Sequence, residues 1–451
     1  MEVINLSFSE FINACRLNEN VDVTHVICVS KDNILAEYVE YPYQKDSLKL
    51  FFSMTKSFSS LAIGIAYDLG LLSIDSNIVD FFDEELPIKH DINLDKIKVK
   101  HLLTMSSGIH NNTYDDLIVK SNWVKAFLAQ NFVHEPGTYY RYSTHGSHML
   151  SAIITKVSGL SLEDFLNQYL FHPLKIYEAQ WEQSPEGLTA GGMGLSLYPK
   201  SLAKIAQLLL NNGVYDGKHI LSQNYIKMAI SRQIVKQDDI KDSNTIFKGV
   251  EYGFQFHIGK ENFYRFDGAF GQLCLLCPEL DVAIIVFSNY AKMEILLSLI
   301  YKHILNDVKN IDSITQEYDL NEHRKKNLFE VPCNKYKMQI NPLGIDYIEF
   351  FKVYDGYEIK FTNKSGIDTL KFSFFEQSNG KMNFIKDLQT HFQQYVCVAN
   401  VTNFIELKVY FIETPYIATY SFSFDESNVT FNFEINVSFT LKEFSTKGIV
   451  C

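Results

Sequence analysis

The spacing of hydrophobic residues changes near Asn310, and this change most limits what the chain can fold into. Before it, from about Ser53 to Met228, apolar residues recur mostly with helical spacing. After it, from about Cys333 onward, apolar and polar residues alternate with the period of two that is typical of strands. The chain has 451 residues, which exceeds the usual size of a single core. We therefore expect two domains of different class joined by a polar linker.

Strand patterns lie on both sides of the helical region. The expected strands are Thr24–Val29, Ile34–Tyr38, Tyr252–His257, Asn262–Phe266, Leu273–Leu276 and Val282–Phe287. Strands from both ends of a segment can pair in one antiparallel sheet flanked by helices. We assign residues 1–310 to such an α/β (α+β) domain and residues 311–332 to the linker.

Residues 333–451 are expected to form a small antiparallel β-sheet or barrel of the lipocalin-like kind. Tyr347–Tyr354 and Tyr357–Phe361 alternate apolar and polar residues around Asp355-Gly356, which predicts a hairpin. Asn379-Gly380 predicts a second turn of the same type. We find no catalytic constellation in this segment.

Charge and hydropathy limit the partners and the location of the protein. The formal net charge of −12 disfavours nucleic acid and anionic membrane surfaces. The first residues, Met1–Phe11, have no basic region and no continuous apolar run, and the most apolar windows are too short to span a bilayer. We expect no signal peptide, no membrane span and a cytoplasmic location, or export if a leader has been removed.

The cysteines indicate neither a disulfide framework nor a metal centre. Seven cysteines, an odd number, are scattered along the chain. Cys274 and Cys277 form a C-x-x-C, but their odd spacing on a strand predicts thiols on opposite faces of the sheet. No histidine at position 138 completes a zinc-protease motif after His134-Glu135. We therefore expect no metal and no cofactor.

A serine and a lysine three residues apart occur at Ser53–Lys56, Ser201–Lys204 and Ser378–Lys381. The second pair follows Pro199 and opens an apolar run, which predicts a helix N-cap serine. The third pair flanks the predicted Asn-Gly turn. The first pair alone lies between a short apolar run and a long helical segment, where free N–H groups favour an oxyanion.

The first pair has a chemical interpretation. Ser53 and Lys56 would share one face of a helix, and a lysine in a partly dry pocket can have a lowered pKa and act as the serine's base. Spacing and context alone leave this interpretation and a simple N-cap serine equally open.

Tyr142 is the candidate for the group that a Ser-Lys hydrolase needs to move a proton to the leaving atom. It lies on a loop entering a helix, and a tyrosine beside an ammonium can be shifted toward phenolate. Taken alone, a tyrosine on a loop is better explained by surface packing.

In combination, however, the motifs resemble the β-lactamase-related serine hydrolases, nearest to class C β-lactamases, penicillin-binding proteins and their esterase relatives. The segments that carry the resemblance are Ser53–Lys56, Lys98–Gly108, Pro136–Thr138 with Tyr142–Ser143, Gly191–Met193, Gly268–Gln272, Cys277–Glu279 and Phe287–Tyr290. The ordered set is far more specific than any single motif and spans roughly residues 20 to 310.

The resemblance implies roles for four residues. Ser53 would be the acylated nucleophile, and Lys56 would help to deprotonate it. Tyr142 would protonate the leaving group and then activate water. The backbone N–H groups of Ser53 and Ala269 would form the oxyanion hole.

Two departures from the family pattern bear on the substrate. Thr144 stands where the family usually has Asn, and it cannot reproduce a planar amide. Aligned with the family's third motif, Phe266-Asp267-Gly268 has a phenylalanine in place of a carboxylate-binding Lys or His. Arg265 is adjacent, but strand alternation would point it the other way. Thr144, Phe266, Asp267 and Gly268 are thus the expected substrate-binding positions, for an acyl substrate less acidic than a β-lactam or D-Ala-D-Ala peptide.

Three histidines near these motifs have simpler structural explanations. The resemblance makes His101 a structural residue near a helix start. His145 and His148 lie beside Tyr142 and could line a pocket, although satisfied local hydrogen bonds explain them more simply.

The sequence therefore predicts a serine hydrolase that cleaves an ester, amide or lactam through a Ser53 acyl-enzyme. Its partner would be a small-molecule or peptide-like acyl substrate, and a homo-oligomer stays open. Two alternatives also stay open: a non-catalytic penicillin-binding-like sensor or binding protein, and a β-lactamase or D-Ala-D-Ala peptidase.

Overall fold

A computed structural model of the chain describes residues 6–237, 251–259, 262–305, 314–317 and 330–451. The chain divides into two units, Met1–Tyr38 with Leu50–Gln316, and Val39–Lys49 with Glu317–Cys451. The segment Val39–Lys49 therefore belongs to the second unit, although it lies within the predicted first domain. The boundary at residue 310 and the linker at 311–332 stay predictions, because residues 306–313 and 318–329 lie outside the described part.

Helices occupy most of the first unit between its early and late strands. In chain order they are α1 (Leu6–Arg16), α2 (Thr55–Asp68), α3 (Val99–Leu103), α4 (Tyr114–Ile118), α5 (Trp123–Leu128), α6 (Thr144–Ser158), α7 (Leu162–Leu166), α8 (Pro199–Leu210), α9 (Gln223–Ala229) and α10 (Met293–His303). The boundaries of α6 have clear local causes. Ser143 Oγ accepts a hydrogen bond from Gly146 N at its start, and Gly159 ends it with a φ of 74°.

The early and late strands of the first unit form one antiparallel sheet, as the sequence predicts. The strands described up to residue 317 are β1 (Val21–Val29), β2 (Ile34–Val39), β3 (Lys49–Leu50), β4 (Ser196–Leu197), β5 (Val214–Tyr215), β6 (Lys218–His219), β7 (Ile234–Val235), β8 (Glu251–Tyr252), β9 (His257–Ile258), β10 (Tyr264–Gly268), β11 (Gln272–Cys277), β12 (Val282–Ala291) and β13 (Ile314–Glu317). The order in the large sheet is β13-β2-β1-β12-β11-β10-β9-β8-β7, and β3 to β6 lie outside it. The pair β1 and β12 joins segments more than 250 residues apart, with Val26 opposite Val286.

The two faces of this sheet bury different cores. One face packs against helices that include α2, and its core contains Cys274 and Phe58. The other packs against α1 and α10, and its core contains Cys277 and Phe8. The predicted separation of the two thiols is therefore confirmed.

The second unit is an all-β near-barrel, which agrees with the predicted sheet or barrel. Its strands are β14 (Lys335–Met338), β15 (Ile345–Val353), β16 (Gly356–Asn363), β17 (Gly366–Phe372), β18 (Ser378–Ile385), β19 (Thr390–Val401), β20 (Ile405–Phe411), β21 (Ile417–Phe424), β22 (Asn428–Ile435) and β23 (Phe444–Val450). Their order is β17-β16-β15-β14-β23-β22-β21-β20-β19-β18. Asp368 bridges the end strands β17 and β18, because its Oδ1 accepts from Asn383 N at 3.0 Å. Tyr395 on β19 also reaches β17, where its Oη accepts from Lys371 N at 2.8 Å.

Two local predictions are wrong. Asn379 and Gly380 form no turn but lie within β18, where Gly380 is opposite Tyr395. A Cβ at Gly380 would overlap the Tyr395 hydroxyl, so this glycine provides space within the strand. Ser201 is not an N-cap, because α8 already begins at Pro199, which is favoured at the first helical position.

No helix in the described ranges is both long enough and apolar enough to cross a bilayer.

Candidate active site

Ser53 and Lys56 are in contact. Ser53 lies in a short 3-10 turn, Phe52–Met54, that leads directly into α2. Lys56 Nζ is 3.0 Å from Ser53 Oγ, and the lysine side chain is 2% exposed. No side chain caps either helical segment, so the N-cap explanation of Ser53 does not apply.

A glycine loop gives Lys56 a second partner. Lys56 Nζ donates to Gly192 O at 2.6 Å, and Ser59 Oγ donates to Gly191 O at 2.6 Å. A Cβ at Gly192 would lie 2.7 Å from Thr144 Cγ2, so the absence of a side chain lets the loop pass close to the start of α6. The predicted substrate-binding residue Thr144 therefore packs beside the carbonyl that holds the lysine.

Tyr142 joins the same group. Lys56 Nζ lies 5.0 Å from the centroid of the Tyr142 ring, and the Tyr142 hydroxyl is hydrogen-bonded to the Ser53 side chain. Burial raises the pKa of Tyr142 well above its ordinary value; the Ser53 hydrogen bond opposes this rise, and the Asp267 charge adds to it. The expected shift toward phenolate is therefore wrong in direction, and Tyr142 is a neutral phenol at pH 7.

Strand β10 approaches the turn that carries Ser53. A Cβ at Gly268 would overlap Phe51 O, so a glycine is required for this approach. Ala269 follows Gly268 directly, which brings the two predicted oxyanion donors to adjoining turns. Their action on an oxyanion stays a prediction.

The other residues of the third motif point to opposite sides of β10. The Phe266 ring is 2% exposed and packs edge to face against Phe58 and Phe256, with centroids 6.3 and 5.6 Å away. Asp267 lies on the other side, where Arg265 Nε donates to its Oδ2 at 3.1 Å. Arg265 thus points away from Phe266, as the strand alternation predicts.

Asp267 belongs to a largely buried polar network. Asp267 Oδ1 is 3.0 Å from His257 Nε2, and His257 Nδ1 is 2.8 Å from Lys236 Nζ. Burial lowers the pKa of His257 to about 4, so at pH 7 its ring is neutral, with Nε2 donating and Nδ1 accepting. Burial alone would raise the pKa of Asp267, but His257 and Arg265 together hold it well below its ordinary value. No local sequence pattern marks Lys236 or His257, because pairing between strands brings His257 to Asp267 and Lys236 to His257.

Gln255 is a second residue that the motifs miss. Its Oε1 accepts from Ser147 Oγ at 2.8 Å, and its Nε2 donates to Leu103 O at 3.0 Å. Its backbone oxygen accepts from Ser57 Oγ at 2.6 Å. One buried glutamine thereby connects α2, α3 and α6 around the candidate site, and no local pattern marks it.

The histidines have different environments. His148 Nε2 is 3.1 Å from Glu186 Oε1, which confirms a local partner. His145 does not fit that expectation: its buried Nε2 has no hydrogen-bond partner among the described residues, and burial lowers its pKa to about 3. His101 Nδ1 accepts from Lys98 N at the start of α3, which confirms its structural position. Across the described residues, no group of three or more His, Cys, Asp or Glu side chains is arranged to hold a metal ion.

The sequence matches a known protein family and several curated proteins. The family model described as Beta-lactamase matches residues 23–296. An uncharacterized protein of Alkalihalophilus pseudofirmus is 24% identical over 257 residues, which cover 50% of this chain and 70% of that protein. Three further curated relatives are matched over less than half of their own lengths.

Solved structures show the same fold. The octameric penicillin-binding protein homologue from Pyrococcus abyssi is similar over 99% of this chain and 100% of its own, with a TM-score of 0.52 and 17% identity. EstCE1, described as a hydrolase with promiscuous acyltransferase activity, is similar over 66% of this chain and 100% of its own, with a TM-score of 0.53 and 14% identity. Because the family model matches more than half of the residues, the chain belongs to the Beta-lactamase family.

Proposed function

We propose that the protein is a serine hydrolase that cleaves an ester, amide or lactam through an acyl-enzyme on Ser53. The observation that carries the proposal is the contact between the buried Lys56 Nζ and the partly buried Ser53 Oγ, with the Tyr142 hydroxyl bonded to the same serine. A nucleophile in contact with a base and a second proton-transfer group is the arrangement that acyl transfer requires.

In the acylation half-reaction, Lys56 in its free-base form takes the proton from Ser53 as Oγ attacks the acyl carbon. The N–H groups of Ser53 and Ala269 stabilise the oxyanion that forms. Tyr142 donates its phenolic proton to the leaving oxygen or nitrogen, and the Lys56 ammonium then restores that proton. The products are the acyl-enzyme and the free alcohol or amine.

In the deacylation half-reaction, the same groups act in reverse order. Water gives a proton to Tyr142 Oη, and Tyr142 passes its own phenolic proton to the free amine of Lys56, while the water oxygen attacks the acyl carbon. When the second tetrahedral intermediate collapses, the Lys56 ammonium gives its proton to Ser53 Oγ and the acid is released. Because its pKa is raised, Tyr142 is protonated before the reaction begins, which supports a role as a neutral proton donor rather than as a phenolate base.

The third motif favours acyl substrates without a carboxylate next to the scissile bond. Phe266 places an apolar ring in the core where a cation would bind such a group, and Thr144 lacks the planar amide of the family motif. An uncharged ester is therefore the preferred substrate class. β-Lactams and D-Ala-D-Ala peptides are the weaker candidates.

The same departures support a second candidate, a penicillin-binding-like sensor that is acylated but turns over no substrate. A homo-oligomer is also part of the proposal, since the homologue from Pyrococcus abyssi, which is similar over the whole chain, is octameric.

The test compares turnover of p-nitrophenyl butyrate, nitrocefin and a D-Ala-D-Ala peptide by the full chain and by Ser53→Ala. We expect ester hydrolysis that exceeds that of Ser53→Ala by at least about 10⁴-fold. Acylation by a fluorescent penicillin without turnover of any of the three would favour the sensor. Equal rates for the two proteins would overturn the proposal.

A further inference from the structure

The second unit contains a cavity at one end of its near-barrel. The cavity has a volume of about 580 Å³, and Phe361, Met382, Phe384 and Tyr420 form its buried apolar lining. A neighbouring cavity of about 460 Å³ shares part of its wall, including Ser365. Volumes of this size are typical of sites that enclose a small organic ligand, and the mouth of a β-barrel is a common place for them.

A buried glutamine beside this cavity lacks one partner. Gln393 is 1% exposed and lies opposite Met382 in the β18–β19 pair. Its Nε2 donates to Phe384 O at 2.8 Å and to Ile385 O at 3.0 Å, and both of these residues line the cavity. Its Oε1 is buried without a hydrogen-bond partner among the described residues. An unsatisfied buried acceptor costs about 1–3 kcal/mol, which a donor brought by a ligand would recover.

Access to this acceptor depends on two features. Gln393 lies behind the lining, opposite Met382, which does line the cavity, and methionine is an adaptable apolar side chain whose rearrangement would open a path to Oε1. The wall between the end strands β17 and β18 is bridged by the Asp368 side chain, which also receives Asn383 Nδ2 at 2.8 Å. This end of the unit is therefore held partly by side chains, which can adjust more easily than a backbone ladder.

We propose that this cavity binds a small uncharged amphiphile, with its apolar body against Phe361, Phe384 and Tyr420 and its hydroxyl or N–H donating to Gln393 Oε1. Asp368 supplies a carboxylate to the wall, so an anionic head group is disfavoured. Medium-chain alcohols and aromatic amines have the required chemistry, whereas fatty acid anions do not. The site lies within the second unit and is independent of the proposed hydrolase chemistry.

The test uses N-phenyl-1-naphthylamine, an apolar fluorophore with one N–H donor, on the full chain. We expect saturable binding, and displacement by 1-octanol at least about tenfold better than by octanoate or by methyl heptyl ether, which lacks a donor. The variant Gln393→Met should reduce the preference for 1-octanol over the ether to less than about threefold while retaining the fluorophore. Equal displacement by all three compounds in the unmodified protein would overturn the assigned head group.

A matched pair of variants tests the location. Ser365 and Ser427 are both exposed, and each has its backbone N bonded to the side chain two residues earlier. Ser365→Trp places an indole at the shared wall of the two cavities and should weaken binding at least about tenfold. Ser427→Trp, away from the lining, should leave binding unchanged. Equal affinities for the two variants, both folded by circular dichroism, would overturn the site.

Discussion

Phe52 and Phe270 both have a left-handed backbone, and their rings pack edge to face. Their φ angles are 47° and 64°, and the ring centroids are 5.4 Å apart. Bulky residues rarely adopt such angles, and each instance costs about 1–3 kcal/mol unless the surroundings enforce it. Phe52 directly precedes Ser53, and Phe270 directly follows Ala269. The two strained positions therefore flank the two proposed oxyanion donors, and their ring contact connects the two turns.

The close approach of β10 to the turn that carries Ser53 predicts a large effect of Gly268→Ala. The added methyl would overlap Phe51 O, so β10 or the turn must move. A misplacement of about 1 Å can cost about 100-fold in rate, so we expect a loss of that size in ester hydrolysis with the fold retained. The control is Gly70→Ala, where the methyl meets nothing within 4 Å and the φ of 71° adds only backbone strain. A fully active Gly268→Ala would contradict the assigned approach.

Removal of the Tyr142 hydroxyl tests its proton transfer. Tyr142→Phe keeps the ring beside Lys56 but deletes the group bonded to Ser53. We expect kcat for a p-nitrophenyl ester to fall by about 10²–10⁴-fold, with little change in the unfolding midpoint. Tyr140→Phe is a matched control on the same loop. Unchanged steady-state rates would remove Tyr142 from the mechanism.

The network around Asp267 predicts a stability effect. Asp267→Asn removes the negative charge that pairs with Arg265, whose side chain is 10% exposed, and leaves one acceptor oxygen where Arg265 and His257 had two. Loss of one partner of a largely buried ion pair should lower the free energy of unfolding by about 3 kcal/mol in urea titrations. The control is Asp216→Asn, which breaks the exposed 3.4 Å pair with Lys175 and should cost less than about 1 kcal/mol. Similar losses in both variants would argue against a buried network.

His145 predicts a pH dependence of stability. Its pKa is lowered to about 3 in the folded chain, below the ordinary value near 6.5 in the unfolded chain. Between these values the unfolded state binds more protons, so stability is present above about pH 6.5 and is lost as the pH falls toward 3.

His145→Phe removes this dependence. We expect the variant to lose about 2 kcal/mol less stability than the parent between pH 7 and pH 5 in denaturant titrations. His172→Phe, at an exposed histidine, should retain the parental slope. Equal slopes for the parent and His145→Phe would show that His145 is not buried in the neutral form.

Local patterns predicted much of the fold, but not the surroundings of the candidate site. Hydrophobic spacing is set residue by residue, so it identified the helical region, the flanking strands and the later all-β unit. The prediction of a turn at Asn379-Gly380 was wrong. Gly380 lies within a strand opposite Tyr395, and it is the Tyr395 side chain that needs the space a glycine leaves.

The site shows the same limit. The resemblance drew attention to Ser53, Lys56 and Tyr142, which the structure brings together. The chain of contacts from Lys236 through His257 to Asp267 arises only when β7 to β10 assemble. The direction of the Tyr142 pKa shift depends on burial that no local pattern reveals.

The most direct test of the proposed function is the identity of the residue that a fluorophosphonate modifies. Peptide mass mapping should find about one adduct per chain, on Ser53, as expected for an activated serine nucleophile. Ser53→Ala should give no adduct. Ser201→Ala, which changes another serine with a lysine three residues later, should be labelled like the parent. A folded protein that is not labelled, or that is labelled elsewhere with Ser53 intact, would contradict the assignment of Ser53 as the nucleophile.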